Sequence, residues 1–149
     1  MTAFVENDGG RSAAGYRGIA GDCVARAIAI ATGIVYGEVY DALNALAENE
    51  RPRRGRRASN ARTGVHRRTY ERFLRARGWR WTPTMGIGTG CRVHLRADEL
   101  PGGRLIVAVS RHLVAVIDGV VHDTHDPCRD GTRCVYGYWS APEGRREVR

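Results

Sequence analysis

Residues 22–33, DCVARAIAIATG, decide the fold of this chain. From Cys23 to Thr32 the stretch is apolar almost all the way round, Arg26 carries its one charge, and Gly33 follows as a C-terminal stop. A helix apolar on every side belongs at the centre of a domain. Asp22 is a good N-cap residue, which places Cys23 in the first turn. There, unpaired backbone N–H groups and the helix dipole favour an anion, so a thiol at this position leans towards thiolate. Free cysteine also packs as a small apolar residue, so position alone does not make Cys23 a nucleophile.

Working outward, residues 37–49 place Val39, Leu43, Leu46 and Ala47 at helical spacing and predict a second helix packed on the first. Residues 51–64 (RPRRGRRASNARTG) have no apolar period and predict an exposed, mobile loop. A short third helix is expected over 65–77, with Tyr70, Phe73 and Leu74 inward and Gly78 closing it. Beyond it the period changes to that of strands, at 79–82, 105–110 (LIVAVS) and 133–139 (RCVYGYW). The run HLVAVIDGVVHDT (112–124) predicts a hairpin turning at Asp118-Gly119, a dipeptide that suits a type I′ turn. Helices first and an antiparallel sheet second describe an α+β fold.

A chain of 149 residues, 42% of them hydrophobic, is the size of one ordinary domain with a real core, so residues 1–149 are read as a single domain. Residues 1–20 form its irregular entry segment. No apolar run is long enough to cross a bilayer, and MTAFVENDGGRS has neither a basic nor an apolar leader, so a cytoplasmic protein without a membrane partner is expected. In that compartment the four cysteines are expected as free thiols or metal ligands and not as a disulfide framework. All 24 basic residues are Arg. Twelve lie in 51–80 against one acid, Glu71, so the basicity is a local patch and the rest of the chain is slightly acidic.

His112 opens a continuously apolar strand, which sets its imidazole at the margin of a packed sheet. A two-residue turn at Asp118-Gly119 pairs positions whose numbers sum to 237, placing Asp123 opposite Val114 and on the same face as His112. Asp123 is then a diagonal neighbour able to orient the imidazole. His125 falls opposite His112 by the same count and Asp126 lies just beyond, so three groups compete for the orienting role, with Asp123 preferred. Cys23, His112 and Asp123 would supply nucleophile, base and orienter.

Asp22-Cys23-Val24-Ala25-Arg26-Ala27-Ile28-Ala29-Ile30, with His112-Leu113-Val114-Ala115-Val116-Ile117-Asp118-Gly119 and Val121-His122-Asp123-Thr124 downstream, resembles papain-like cysteine peptidases. The likeness is greatest to the small bacterial and bacteriophage relatives of the leader-peptide-processing group. It spans about residues 20–126 and implies a papain-like fold, a Cys-His-Asp triad and a protein or peptide substrate in the host cytoplasm. That family places a Gln about six residues before the Cys as an oxyanion donor. This chain has Arg17 there and no Gln anywhere, which makes Arg17 the oxyanion candidate. Losing one such donor costs about 2.7–4 kcal/mol of transition-state stabilisation.

Two rival readings remain. Cys91-x-x-His94 and His122-x-x-His125-x-x-Cys128-x5-Cys134 offer soft ligands, but residues three apart on a strand face opposite sides, and no metal or other cofactor is expected. Arg51, Arg53, Arg54, Arg56 and Arg57, with Tyr70, Trp79 and Trp81 beyond them, suit a nucleic acid or an acidic protein partner, the role of a module that keeps the fold without catalysis.

Overall fold

A computed structural model describes residues 3–18 and 20–142. Three helices lie against a six-stranded mixed sheet. In chain order the elements are β1 (Phe4–Glu6), α1 (Cys23–Thr32), α2 (Tyr36–Ala47), α3 (Arg67–Ala76), β2 (Arg80–Pro83), β3 (Arg104–Val109), β4 (His112–Ile117), β5 (Val120–Asp123) and β6 (Val135–Ser140). Across the sheet they run β1-β5-β4-β3-β6-β2.

Helix α1 spans the predicted residues, and its burial explains its composition. Eight consecutive residues, Val24 to Ala31, are buried, and the helix packs on β4, β3 and α2. Ile28 is fully enclosed; truncating such a side chain to Ala costs about 2–5 kcal/mol. Gly33 adopts the left-handed conformation (φ 77°) and returns its N–H to the Ala29 carbonyl, closing the helix. At the other end Asp22 does not cap as expected. Its carboxylate makes no hydrogen bond to the first-turn N–H groups, because Arg26 and Tyr36 hold it elsewhere.

The unbroken apolar runs of β3 and β4 follow from burial on both faces. Ile106, Leu113 and Ala115 join the helices, while Leu105, Val107, Val109, Val114 and Val116 pack with Val121, Val135, Leu95 and Leu100 on the opposite side. The β4–β5 hairpin turns at Asp118 and Gly119, both at positive φ (48° and 80°), and pairs Ala115 with His122, Val116 with Val121 and Ile117 with Val120. This is the predicted register. Gly137 is required on β6, where an added Cβ would lie 2.4 Å from the Trp81 ring that crosses it.

Four expectations are corrected. The entry segment is not wholly irregular, since β1 adds to the sheet edge, and it pairs parallel with β5, so the sheet is mixed rather than antiparallel. Three residues are too few to show a strand period. The loop at 51–64 is not exposed throughout: Ser59 and Ala61 are buried and anchored, with the Ala61 N–H donating to Asn44 Oδ1 (2.8 Å) and the Ser59 N–H to Glu50 (2.9 Å). Small residues carry too little apolar signal to reveal that anchor. Cys91 and Cys134 are not free thiols but a disulfide, brought to a Cα separation of 5.8 Å by folding across 43 residues. Cys23 and Cys128 are free.

Candidate active site

Cys23 sits half-buried where α1 meets the start of β4, and its thiol couples to the imidazole of His112. His112 Nε2 lies 2.6 Å from Asp123 Oδ2. With Nε2 committed to the carboxylate, Nδ1 is the ring nitrogen left for the thiol. The three residues come from a helix start, a strand start and the end of the neighbouring strand, so the packing of α1 on the β4–β5 hairpin sets their geometry.

The electrostatics favour the charged pair. Burial pushes the Cys23 thiol up, but the hydrogen bond and charge of His112, the Leu113 backbone N–H and the Arg26 charge outweigh it, so the thiol lies below its ordinary value. Burial pulls His112 down, yet hydrogen bonds to Asp123 and Cys23 and the charges of both raise it to about 9. Asp123 is held below its ordinary value: against its desolvation stand the hydrogen bond and charge of His112, the Thr124 N–H and the charge of Arg26. The directions of the three shifts favour a thiolate beside an imidazolium over the neutral pair.

Arg26 is the residue that sequence reasoning missed. Buried with Asp22 and Asp123, it donates from Nη1 to Asp22 Oδ1 (2.5 Å) and from Nη2 to Asp123 Oδ1 (3.0 Å). The Thr124 N–H supplies a further hydrogen bond to Oδ1 (2.7 Å), and the Tyr36 hydroxyl donates to Asp22 Oδ2 (2.7 Å). A continuous hydrogen-bonded path therefore runs Tyr36–Asp22–Arg26–Asp123–His112, and His112 couples electrostatically to the Cys23 thiol. The available signal was a lone Arg inside a helix otherwise apolar on every side, because a buried charge requires a partner.

The other expected groups fall outside this path. His125 is exposed, its ring 5.5 Å from that of His112, and Asp126 turns back to accept the Cys128 N–H (2.9 Å), so Asp123 takes the orienting place. Arg17 is exposed, its carbonyl accepts from Arg11 (3.1 Å) and Arg62 (2.9 Å), and it does not line the cleft. The Cys23 backbone N–H is the oxyanion donor left from that reading. His112, Asp123 and His125 bring one potential ligand atom each within 4.8 Å of one another. A cation there would have to displace hydrogen bonds that Asp123 already accepts and would sit beside Arg26, which disfavours it.

Above Cys23 and His112 lies a cleft of about 780 Å³, walled by Gly21, Gly64, Val65, Tyr70, Trp81 and Tyr136, with Arg67 and Arg111 at its margins. Arg51, Arg53, Arg54, Arg56 and Arg57 are exposed and lie outside it. No family model, no curated protein and no solved structure matches the chain.

Proposed function

We propose that the chain is a papain-like cysteine peptidase or amide hydrolase that acts through Cys23, His112 and Asp123. The observation that carries this reading is the coupling of a depressed thiol, a raised imidazole and a buried carboxylate at the floor of an open cleft. Cys23 thiolate attacks the substrate carbonyl carbon, and electrons move onto the carbonyl oxygen, which faces the first-turn N–H groups of α1. When the C–N bond breaks, the His112 imidazolium gives its proton to the departing amine, leaving a thioester on Cys23. Water then attacks the thioester as neutral His112 takes its proton. The acid leaves, and the thiolate–imidazolium pair is restored. Asp123 holds the ring in the orientation both transfers need. A bacterial or bacteriophage setting and a cytoplasmic location belong to this reading through the resemblance alone.

The test is the pH dependence of alkylation at Cys23 and Cys128, followed by mass spectrometry in the wild type and in His112→Ala. Cys23 should react well below the ordinary thiol pKa of about 8.5 and lose that advantage in the variant. Equal, slow reaction of both thiols would sink the nucleophile.

A second reading rests on the five exposed arginines of 51–57, none of which forms an ion pair among the described residues. On it the chain is a non-catalytic module that binds nucleic acid or an acidic protein through this face. Its binding to DNA would weaken steeply with salt and lose slope when Arg53, Arg54, Arg56 and Arg57 become Ala; a slope indifferent to them would remove it.

A further inference from the structure

Of the residues in the Cys/His run at the C-terminal end, folding separates most. His122 lies against Asn7 (3.4 Å), His125 stands beside His112, and Cys128 is buried in the core on the far side of the sheet. Cys91, His94 and Cys134 are instead brought together. Cys91 and Cys134 are bonded to each other, and His94 Nε2 lies 3.6 Å from Cys91 Sγ. His94 also stands directly across from Cys134 in an isolated antiparallel bridge. Backbone hydrogen bonds on either side, Leu95 N–H to the Arg133 carbonyl and Val135 N–H to the Val93 carbonyl (both 2.8 Å), fix that bridge whatever the state of the sulfurs.

Glu99 completes the arrangement. Its Oε1 accepts the His94 backbone N–H (2.9 Å) and lies 3.2 Å from Nδ1. An acceptor at Nδ1 places the ring proton there and leaves the Nε2 lone pair facing Cys91. A carboxylate on the far nitrogen is how proteins commonly orient a metal-bound histidine.

We propose that Cys91, Cys134 and His94 form a binding site for a thiophilic divalent cation of the zinc class, opened by reduction of their disulfide. A dithiol donates two electrons to the Cys91–Cys134 bond and becomes a disulfide itself, leaving two thiols. The cation then binds both sulfurs and Nε2 and displaces the two thiol protons. Tetrahedral zinc, with bonds of about 2.3 Å to sulfur and 2.0–2.1 Å to nitrogen, sets those atoms roughly 3.5 Å apart. The His94–Cys91 distance is already that, and reduction frees the two sulfurs to separate to it. Cys91 is exposed, which gives both reductant and cation access. Three protein ligands leave one position for water.

The test uses the full chain with Cys23→Ala and Cys128→Ala, so that Cys91 and Cys134 are its only thiols. The protein is reduced anaerobically with a phosphine and titrated with Co²⁺, then Zn²⁺. Reduction should bring out a thiolate-to-cobalt charge-transfer band that saturates at one Co²⁺ per chain and is abolished by Zn²⁺, with no band in the oxidised protein. His94→Ala should weaken binding at least about tenfold, and Glu99→Gln by roughly 10- to 100-fold. A reduced protein without the band, or a titration unchanged by His94→Ala, would overturn the site. Since both backgrounds must fold, Zn²⁺ should also slow alkylation of Cys91 and Cys134 in the reduced wild type; no protection there would overturn it equally.

Discussion

Among the described residues a cysteine sulfur, an imidazole and a carboxylate stand close together at two places, and the two differ in nearly everything else. Cys23, His112 and Asp123 stand on the ends of regular elements, with His112 and Asp123 side chains 12% and 2% exposed. Cys91, His94 and Glu99 lie in an irregular segment, with His94 and Glu99 37% and 28% exposed, and there the sulfur is already bonded to Cys134. The residue types are therefore not what makes the first group a candidate nucleophile. Burial strengthens each charge interaction, and the carboxylate of the first group is anchored by a buried guanidinium, while that of the second pairs with exposed Arg96 (3.3 Å).

That contrast is broken most forcefully at Arg26. Arg26→Ala leaves Asp22 and Asp123 buried without their shared cation, and loss of one partner from a buried ionic network costs about 3–5 kcal/mol. Urea unfolding would measure it. A loss under about 1 kcal/mol would mean that the two carboxylates are solvated and the path to His112 is not a rigid one.

Asp123→Asn keeps the volume and removes the charge. Without it His112 loses the largest influence that raises its pKa, the Cys23 thiolate loses its counter-charge, and alkylation of Cys23 at pH 6 should slow at least about tenfold. Glu99→Gln should leave that rate unchanged. Equal effects of the two substitutions would erase the distinction between the sites.

The pH dependence of stability sharpens the comparison further. His112 is raised to about 9 in the folded protein, so its contribution is full below its ordinary value of 6.5 and is lost as pH rises through 9. Cys23 is lowered, so its contribution is present above its ordinary value and is lost as pH falls through its folded value. The two run oppositely, and Cys23→Ser separates them. In that background the stability of the protein relative to its His112→Asn form should decline with rising pH, and the decline should be complete at lower pH than in the wild type, because the thiolate is one of the two groups holding the proton on. A difference that grows with pH would contradict the assigned ion pair.

What could be read from the residues follows the strength of their pattern. The extent of α1 was legible because ten residues repeat one message, and the β4–β5 register because Asp118-Gly119 fixes the turn and period two does the rest. That register alone brought Asp123 to His112. The parallel pairing of Phe4–Glu6 with β5 was not legible, since it depends on where a distant strand ends. Nor was the Cys91–Cys134 bond, whose partners lie 43 residues apart and meet only once β6 is in place. Asp22 fits an N-cap by local preference, but Arg26 one turn along the same helix and Tyr36 from α2 hold its carboxylate instead.

The smallest effects should lie at the outer ends of the two groups. Tyr36→Phe removes the hydroxyl that donates to Asp22 Oδ2 and leaves that oxygen with Arg11 at 3.7 Å, so a loss of about 1–2 kcal/mol is expected. Arg96→Ala removes two ion pairs, to Asp98 and Glu99, but both are open to solvent and screened, so the change should stay within about 0.5 kcal/mol. Both are read from the same urea titrations, at low and at high salt. Tyr36→Phe should be indifferent to salt, because its bond is buried, whereas what little Arg96→Ala costs should vanish as salt rises. If the ranking reverses, the buried path contributes less than the surface cluster, and the rigidity assigned to the Cys23 site would have to come from the packing of α1 alone.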